Sequence, residues 1–104
     1  MVYRLVFTET FEKDLDGILD YMINKLYNPT AASVFYRNVK NTFGKVTAHP
    51  QMYPLHPLKR YSDKGYRFFT VGNYLAFYSA DDEQKIIYAR AMVYGAMDLD
   101  NTPE

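Results

Sequence analysis

The spacing of apolar residues changes along this chain, and each change of period marks an element. In Tyr3-Arg4-Leu5-Val6-Phe7-Thr8, Tyr3, Leu5 and Phe7 share one face of a predicted strand. Phe11, Leu15, Ile18, Leu19, Met22 and Leu26 then recur with a 3.6-residue period, which predicts a helix. Thr8 or Thr10 can cap it, and the acids that follow suit the positive end of its dipole. Asn28-Pro29 closes that helix and opens a second, with Asn28 as N-cap and Pro29 in the first helical position. The second stripe, Ala32, Phe35, Val39, Phe43 and Val46, ends before Pro50. A link this short makes the two helices an antiparallel pair.

Pro50, Pro54 and Pro57 mark a loop that reaches to about Lys64. Strands are predicted at Tyr66–Val71 and Tyr74–Ser79, joined by the two-residue hairpin signal Gly72-Asn73. A polar turn at Asp81-Asp82-Glu83 leads to a last strand, Lys85–Tyr94. The predicted fold is α+β: an N-terminal strand, an antiparallel two-helix hairpin, then a three-stranded antiparallel meander forming one sheet. Residues 1–104 make one domain, with 98–104 a frayed acidic tail.

The hairpin sets a register in which Val71 pairs with Tyr74, Phe69 with Ala76 and Arg67 with Tyr78. Phe68, Thr70, Leu75 and Phe77 form the more apolar face and are expected to cover the helices. Ile87, Ala89, Ala91 and Val93 are expected to join them in the core. The open face is then lined by Arg67, Tyr74, Tyr78, Tyr88, Arg90 and Tyr94.

Charge adds a local feature to this frame. The formal net charge is zero, yet residues 25–67 carry +7, between an N-terminal stretch at −3 and a C-terminal stretch at −4. A local basic region in a neutral chain fits a specific partner better than general affinity for polyanions. With no cysteine, disulfides and thiolate metal sites are excluded. No signal peptide and no apolar run of membrane-spanning length is visible, so a soluble, cytoplasmic protein without membrane contact is expected.

The same residues narrow the chemistry. His49 and His56 are the only histidines, both in the Pro-rich loop and without acids nearby, so no metal site is expected. There is no phosphate-binding glycine loop, no dinucleotide fingerprint and no Ser–His–Asp relay, hence no cofactor. What remains is the arginine–tyrosine face beside a loop bearing Lys59, Arg60 and Lys64. Guanidinium forks grip phosphates and tyrosine rings stack on bases, so such a face can bind or cleave single-stranded RNA. It can equally be solvated packing on a sheet.

Several short segments, none specific alone, form a specific set when taken in order. They are Thr8-Glu9-Thr10, Asp14-Leu15 with Ile18 and Tyr21, Asn28-Pro29-Thr30-Ala31-Ala32, and His49-Pro50. Gly65-Tyr66-Arg67, Asn73-Tyr74-Leu75-Ala76-Phe77-Tyr78 and Val93-Tyr94-Gly95 with Asp98 complete the set. The ordered set resembles the RelE/ParE superfamily, bacterial toxins of type II toxin–antitoxin modules, and the resemblance spans nearly the whole chain. It implies a growth-inhibiting toxin neutralised by a cognate antitoxin, which touches DNA only through the antitoxin complex. RelE-like members cut mRNA on the ribosome; ParE-like members poison DNA gyrase.

By that resemblance Arg67 is the arginine of a Gly-aromatic-Arg strand, and Arg67, Arg90 and Tyr94 are the catalytic candidates if the chain is an endoribonuclease. The target- or antitoxin-binding face comprises Lys59, Arg60, Lys64, Arg67, Tyr74, Tyr78, Tyr88 and Arg90. Two positions depart from the family pattern. Ala91 stands where an arginine is common, and Arg90 replaces it only if a bulge shifts the register. Ala96-Met97 stands where another arginine is frequent. The neutral charge and the Asn28-Pro29 segment place a ParE-like toxin first, an mRNA endoribonuclease second. A degenerate member acting only as an antitoxin-binding co-regulator is third.

Overall fold

The computed structural model describes residues 2–95. β1 (Arg4–Phe7) leads into α1 (Glu9–Asp20), which continues as a π-helical turn over Tyr21–Lys25. α2 (Pro29–Ala48) follows, then a short α3 (Lys59–Ser62), β2 (Arg67–Val71), β3 (Tyr74–Asp81) and β4 (Ile86–Tyr94). The four strands form one sheet in the order β1-β4-β3-β2, with β1 parallel to β4 and the other pairs antiparallel. The N-terminal strand, helical hairpin and meander are as the sequence predicts. Ala96-Met97 and the acidic residues Asp98 to Glu104 lie outside the described residues.

The helix ends follow their capping residues. Thr8 Oγ1 accepts from the Phe11 amide at 3.2 Å, and Asn28 Oδ1 accepts from the Ala31 amide at 3.0 Å with Pro29 in the first turn. The π-helical turn departs from the predicted stripe. The Leu26 amide donates to the Tyr21 carbonyl, five residues back, at 3.1 Å. That extra residue rotates the helix tip, so Leu19 and Met22 stay against the core while Leu26, expected inside, is exposed. Tyr27 follows in the left-handed region with φ 51°.

Phe11, Leu15 and Ile18 of α1 and Phe35, Val39, Phe43 and Val46 of α2 pack on one face of the sheet. That face presents Phe69, Val71, Ala76, Tyr78, Ile87, Ala89 and Met92. Phe43 is central, with ring contacts to Phe11 at 5.6 Å, Phe69 at 5.0 Å and Tyr78 at 6.2 Å.

The β2–β3 register is the expected one, but the faces are reversed. Arg67, Tyr74 and Tyr78 point to the helix side: Tyr78 has no exposure and Tyr74 meets the Phe35 ring edge-on at 5.5 Å. Phe68 and Phe77 lie on the other face. They too are covered, by the segment from Pro54 to Tyr66, which lays His56, Tyr61 and Tyr66 over Phe77 at 5.3, 4.8 and 6.5 Å. Both faces of the hairpin are therefore apolar, and composition alone cannot tell which one the helices cover.

In β4 a bulge resets the alternation. Phe77 pairs with Ala91 and Tyr78 with Ala89, leaving Arg90 as the extra residue. Ile87 and Ala89 face the helices as expected; beyond the bulge Met92 and Tyr94 do so, and Ala91 and Val93 turn to the opposite face. The Met92 amide donates to Asp14 Oδ2 at 3.0 Å, which fastens the displaced strand to α1. Among the described residues no helix is long and apolar enough to cross a membrane, and no group of three or more His, Asp or Glu is placed to hold a metal.

Candidate functional site

The bulge puts Arg90 on the face away from the helices. Its Nε donates to Ser79 Oγ at 2.9 Å, and its guanidinium lies 4.8 Å from the Tyr88 ring centroid and 5.7 Å from that of Tyr66. Three contacts fix a long side chain that would otherwise sample many rotamers. Beside it lies a hollow of about 150 Å³, lined by Thr8, Thr10, Tyr61, Tyr66, Phe77, Arg90, Ala91 and Val93.

Each wall of the hollow has a local cause. Thr8 is held by its own backbone and side-chain bonds to the Ala89 carbonyl at 3.1 and 2.9 Å, so the start of α1 is pinned to the bulged strand. Tyr61 is buried on α3 and stacks on Phe77 with the ring planes 27° apart. Arg60 lies over the Tyr61 ring at 5.0 Å and Lys64 over Tyr66 at 5.9 Å, which makes the rim cationic.

His56 supports this aromatic layer from below. Its Nδ1 accepts from the Leu58 amide at 3.1 Å, and its ring packs on Tyr61, Phe68 and Phe77. Burial, with Arg60 nearby, pushes its pKa below the ordinary 6.5. An Nδ1 that accepts from an amide is that of a neutral imidazole. No metal ligand set forms around it.

The residues singled out in the sequence divide between two surfaces. Arg60, Lys64, Tyr88 and Arg90 gather on the hollow side. Lys59 lies on α3, paired with Asp63 at 2.8 Å in solvent. Arg67 is on the opposite face, where Nη1 donates to the Tyr53 carbonyl at 2.7 Å. Tyr78 is buried there too, its hydroxyl donating to the Pro50 carbonyl at 2.9 Å, and burial raises its pKa. Tyr94 packs against Tyr74 at 5.6 Å, near Tyr21, Met22 and Leu26 at the tip of the helical hairpin. Arg67, Arg90 and Tyr94 are thus not brought together, and the open face expected to join Arg67, Tyr74 and Tyr78 to Arg90 does not exist.

Thr8, Thr10, Tyr61, Tyr66, Phe77 and Val93 escaped the sequence reading as lining residues. A signal for two of them was present: Tyr61 and Tyr66 bracket Lys64 in a loop otherwise rich in proline. The register shift on which the sequence reading of Arg90 was conditional does occur, with Arg90 as the extra residue.

The comparisons with known proteins agree with this architecture. The RelBE2 toxin–antitoxin complex of Mycobacterium tuberculosis contains a chain similar in fold, with TM-score 0.62 and 19% identity over 90% of this chain and 99% of that one. A chain of the chromosomal ParDE toxin–antitoxin system of P. aeruginosa is also similar, with TM-score 0.69 and 18% identity over 89% and 96%. No curated protein sequence matches significantly. The profile of the ParE toxin of type II toxin–antitoxin system, parDE, matches residues 5–99. From β1 to beyond the last described strand, the chain belongs to the ParE toxin family.

Proposed function

We propose that this chain inhibits growth by binding an essential protein target, DNA gyrase being the one its family membership implies, and that a cognate antitoxin neutralises it. The observation that supports a binding toxin over a nuclease is the separation of Arg67 from Arg90 by the thickness of the sheet. In-line attack by a 2′-hydroxyl depends on several charged and proton-transferring groups converging on one phosphate. Here one guanidinium lines the hollow, and the other candidate arginine ties a loop on the far side.

Inducible expression in bacteria, with and without the neighbouring gene, tests the toxin and its antitoxin together. Growth arrest relieved by the neighbour is the expected result; normal growth at verified expression sinks the reading. Loss of supercoiling activity when purified gyrase meets the protein then identifies the target. A ribosome-dependent mRNA endoribonuclease is the second reading, favoured by the cluster of Arg90, Lys64, Tyr66 and Tyr88 on one surface. Cleaved mRNA in a translating extract, with gyrase unaffected, would replace the first reading by this one. Antitoxin binding without any growth defect would leave only a co-regulator.

A further inference from the structure

The hollow beside Arg90 is too small for an ordinary small-molecule site. Such sites span roughly 300–1,000 Å³, against about 150 Å³ here. A space of that size suits a single side chain better than a whole ligand. Its lining is of two kinds: the rings of Tyr61, Tyr66 and Phe77 with the methyls of Ala91 and Val93, and the polar groups of Thr8, Thr10 and Arg90. A short aliphatic stem ending in an anion matches both.

Arg90 is the one charged residue among the described residues that line the hollow. Ser79 holds its Nε and aromatic rings flank its plane, so the two terminal nitrogens remain as a preformed fork. No described carboxylate forms an ion pair with it; Glu9, one residue from Thr10, pairs instead with Lys13 at 3.1 Å. Arg60 and Lys64 add positive charge at the rim.

We infer that this hollow is an anchor pocket for one acidic side chain of a protein partner, a glutamate whose carboxylate takes the Arg90 fork while its methylenes lie on Phe77 and Val93. The inference rests on the reading of the chain as a protein-binding toxin. A preformed aromatic pocket with one fixed guanidinium is the arrangement in which a single side chain dominates binding. The partner segment it selects is acidic, with a glutamate exposed enough to insert.

Isotope-labelled full-length protein, titrated with the capped peptide Ala-Leu-Glu-Leu-Ala and its Gln counterpart, tests this by NMR. The Glu peptide shifts the Arg90 Nε–H signal and the Thr10, Ala91 and Val93 amides saturably; the Gln peptide binds at least tenfold more weakly. Arg90→Gln removes the difference between the peptides. Val93→Trp, which fills the hollow and keeps the guanidinium, abolishes both responses while the remaining spectrum reports an intact fold. Equal binding of the two peptides, or Glu binding that survives Val93→Trp, overturns the pocket. Tighter binding of a short single-stranded oligoribonucleotide at the same signals overturns it too, in favour of a phosphate site. Growth arrest relieved by the antitoxin without any peptide response sinks the pocket alone. A peptide response without growth arrest sinks the toxin reading alone.

Discussion

Arg67 and Tyr78 face each other across β2 and β3, and each bonds a different carbonyl of the segment that leaves α2: Tyr53 at 2.7 Å and Pro50 at 2.9 Å. Two polar groups, one of them on a fully buried tyrosine, thereby fix the path of a Pro-rich connection. Tyr78→Phe and Arg67→Leu are each expected to destabilise the fold by about 1–2 kcal/mol, the scale of a lost partly buried hydrogen bond. Because both bonds hold one segment, the double variant should lose less or more than the sum by about 0.5 kcal/mol or more. Urea unfolding of the four proteins measures this; strict additivity would show that the two bonds act separately.

His56 makes stability depend on mild acid. Burial lowers its folded pKa below 6.5, and the neutral ring accepts from the Leu58 amide. The unfolded chain therefore takes up a proton first as pH falls. This contribution to stability is complete above 6.5 and is lost as pH drops through the lower folded value. The urea midpoint should fall between pH 7.5 and 5.5, and His56→Phe should flatten that fall. An unchanged slope in the variant would assign the dependence to other groups.

Asp14 holds the bulged strand through the Met92 amide, and burial raises its pKa while that bond partly offsets the rise. Asp14→Asn keeps an oxygen acceptor and removes the charge, so its stability at neutral pH should equal or exceed that of the parent. Asp14→Ala leaves a strand amide without a partner, at a cost of about 1–3 kcal/mol. Hydrogen exchange at Met92 should accelerate in the Ala variant and not in the Asn variant. Equal exchange in both would dismiss the bond as a fastening.

Gly72 opens the β2–β3 turn at φ 57°, where a side chain is strained although open space surrounds it. Gly72→Ala should cost about 1 kcal/mol, while Gly44→Ala, on the exposed side of α2, should be neutral or stabilising by up to about 1 kcal/mol. Thermal melts of both variants, run side by side, decide whether the backbone conformation is the cause.

How far the sequence could be read depended on whether one pattern or two explained a segment. The α2 stripe, Ala32 to Val46, had one answer because the rest of the helix is mostly polar, Val34 and Tyr36 excepted, and the stripe is buried as predicted. The hairpin register was legible from Gly72-Asn73 alone. The facing of that hairpin was not, because Phe68 and Phe77 are as apolar as Phe69 and Val71, and the covering of the first pair comes from a loop whose path depends on His56, Tyr61 and Tyr66. Leu26 was misplaced because an i, i+5 bond at Tyr21 is invisible to a 3.6-residue period. Arg90 was named among the candidate site residues, yet the partners that hold it, Ser79 and Tyr66, come from elements that periodicity cannot relate in space.

The extra residue in β4 also bears on how this lineage can drift. Strands seldom tolerate the gain or loss of a single codon, since every later side chain would exchange inside for outside. Here the ladder accommodates one unpaired residue: Met92 and Tyr94 meet Ala76 and Tyr74, and only the positions at the kink are displaced. Parity counted back from Gly95 therefore gives a side chain's facing only as far as the kink, and beyond Arg90 it inverts.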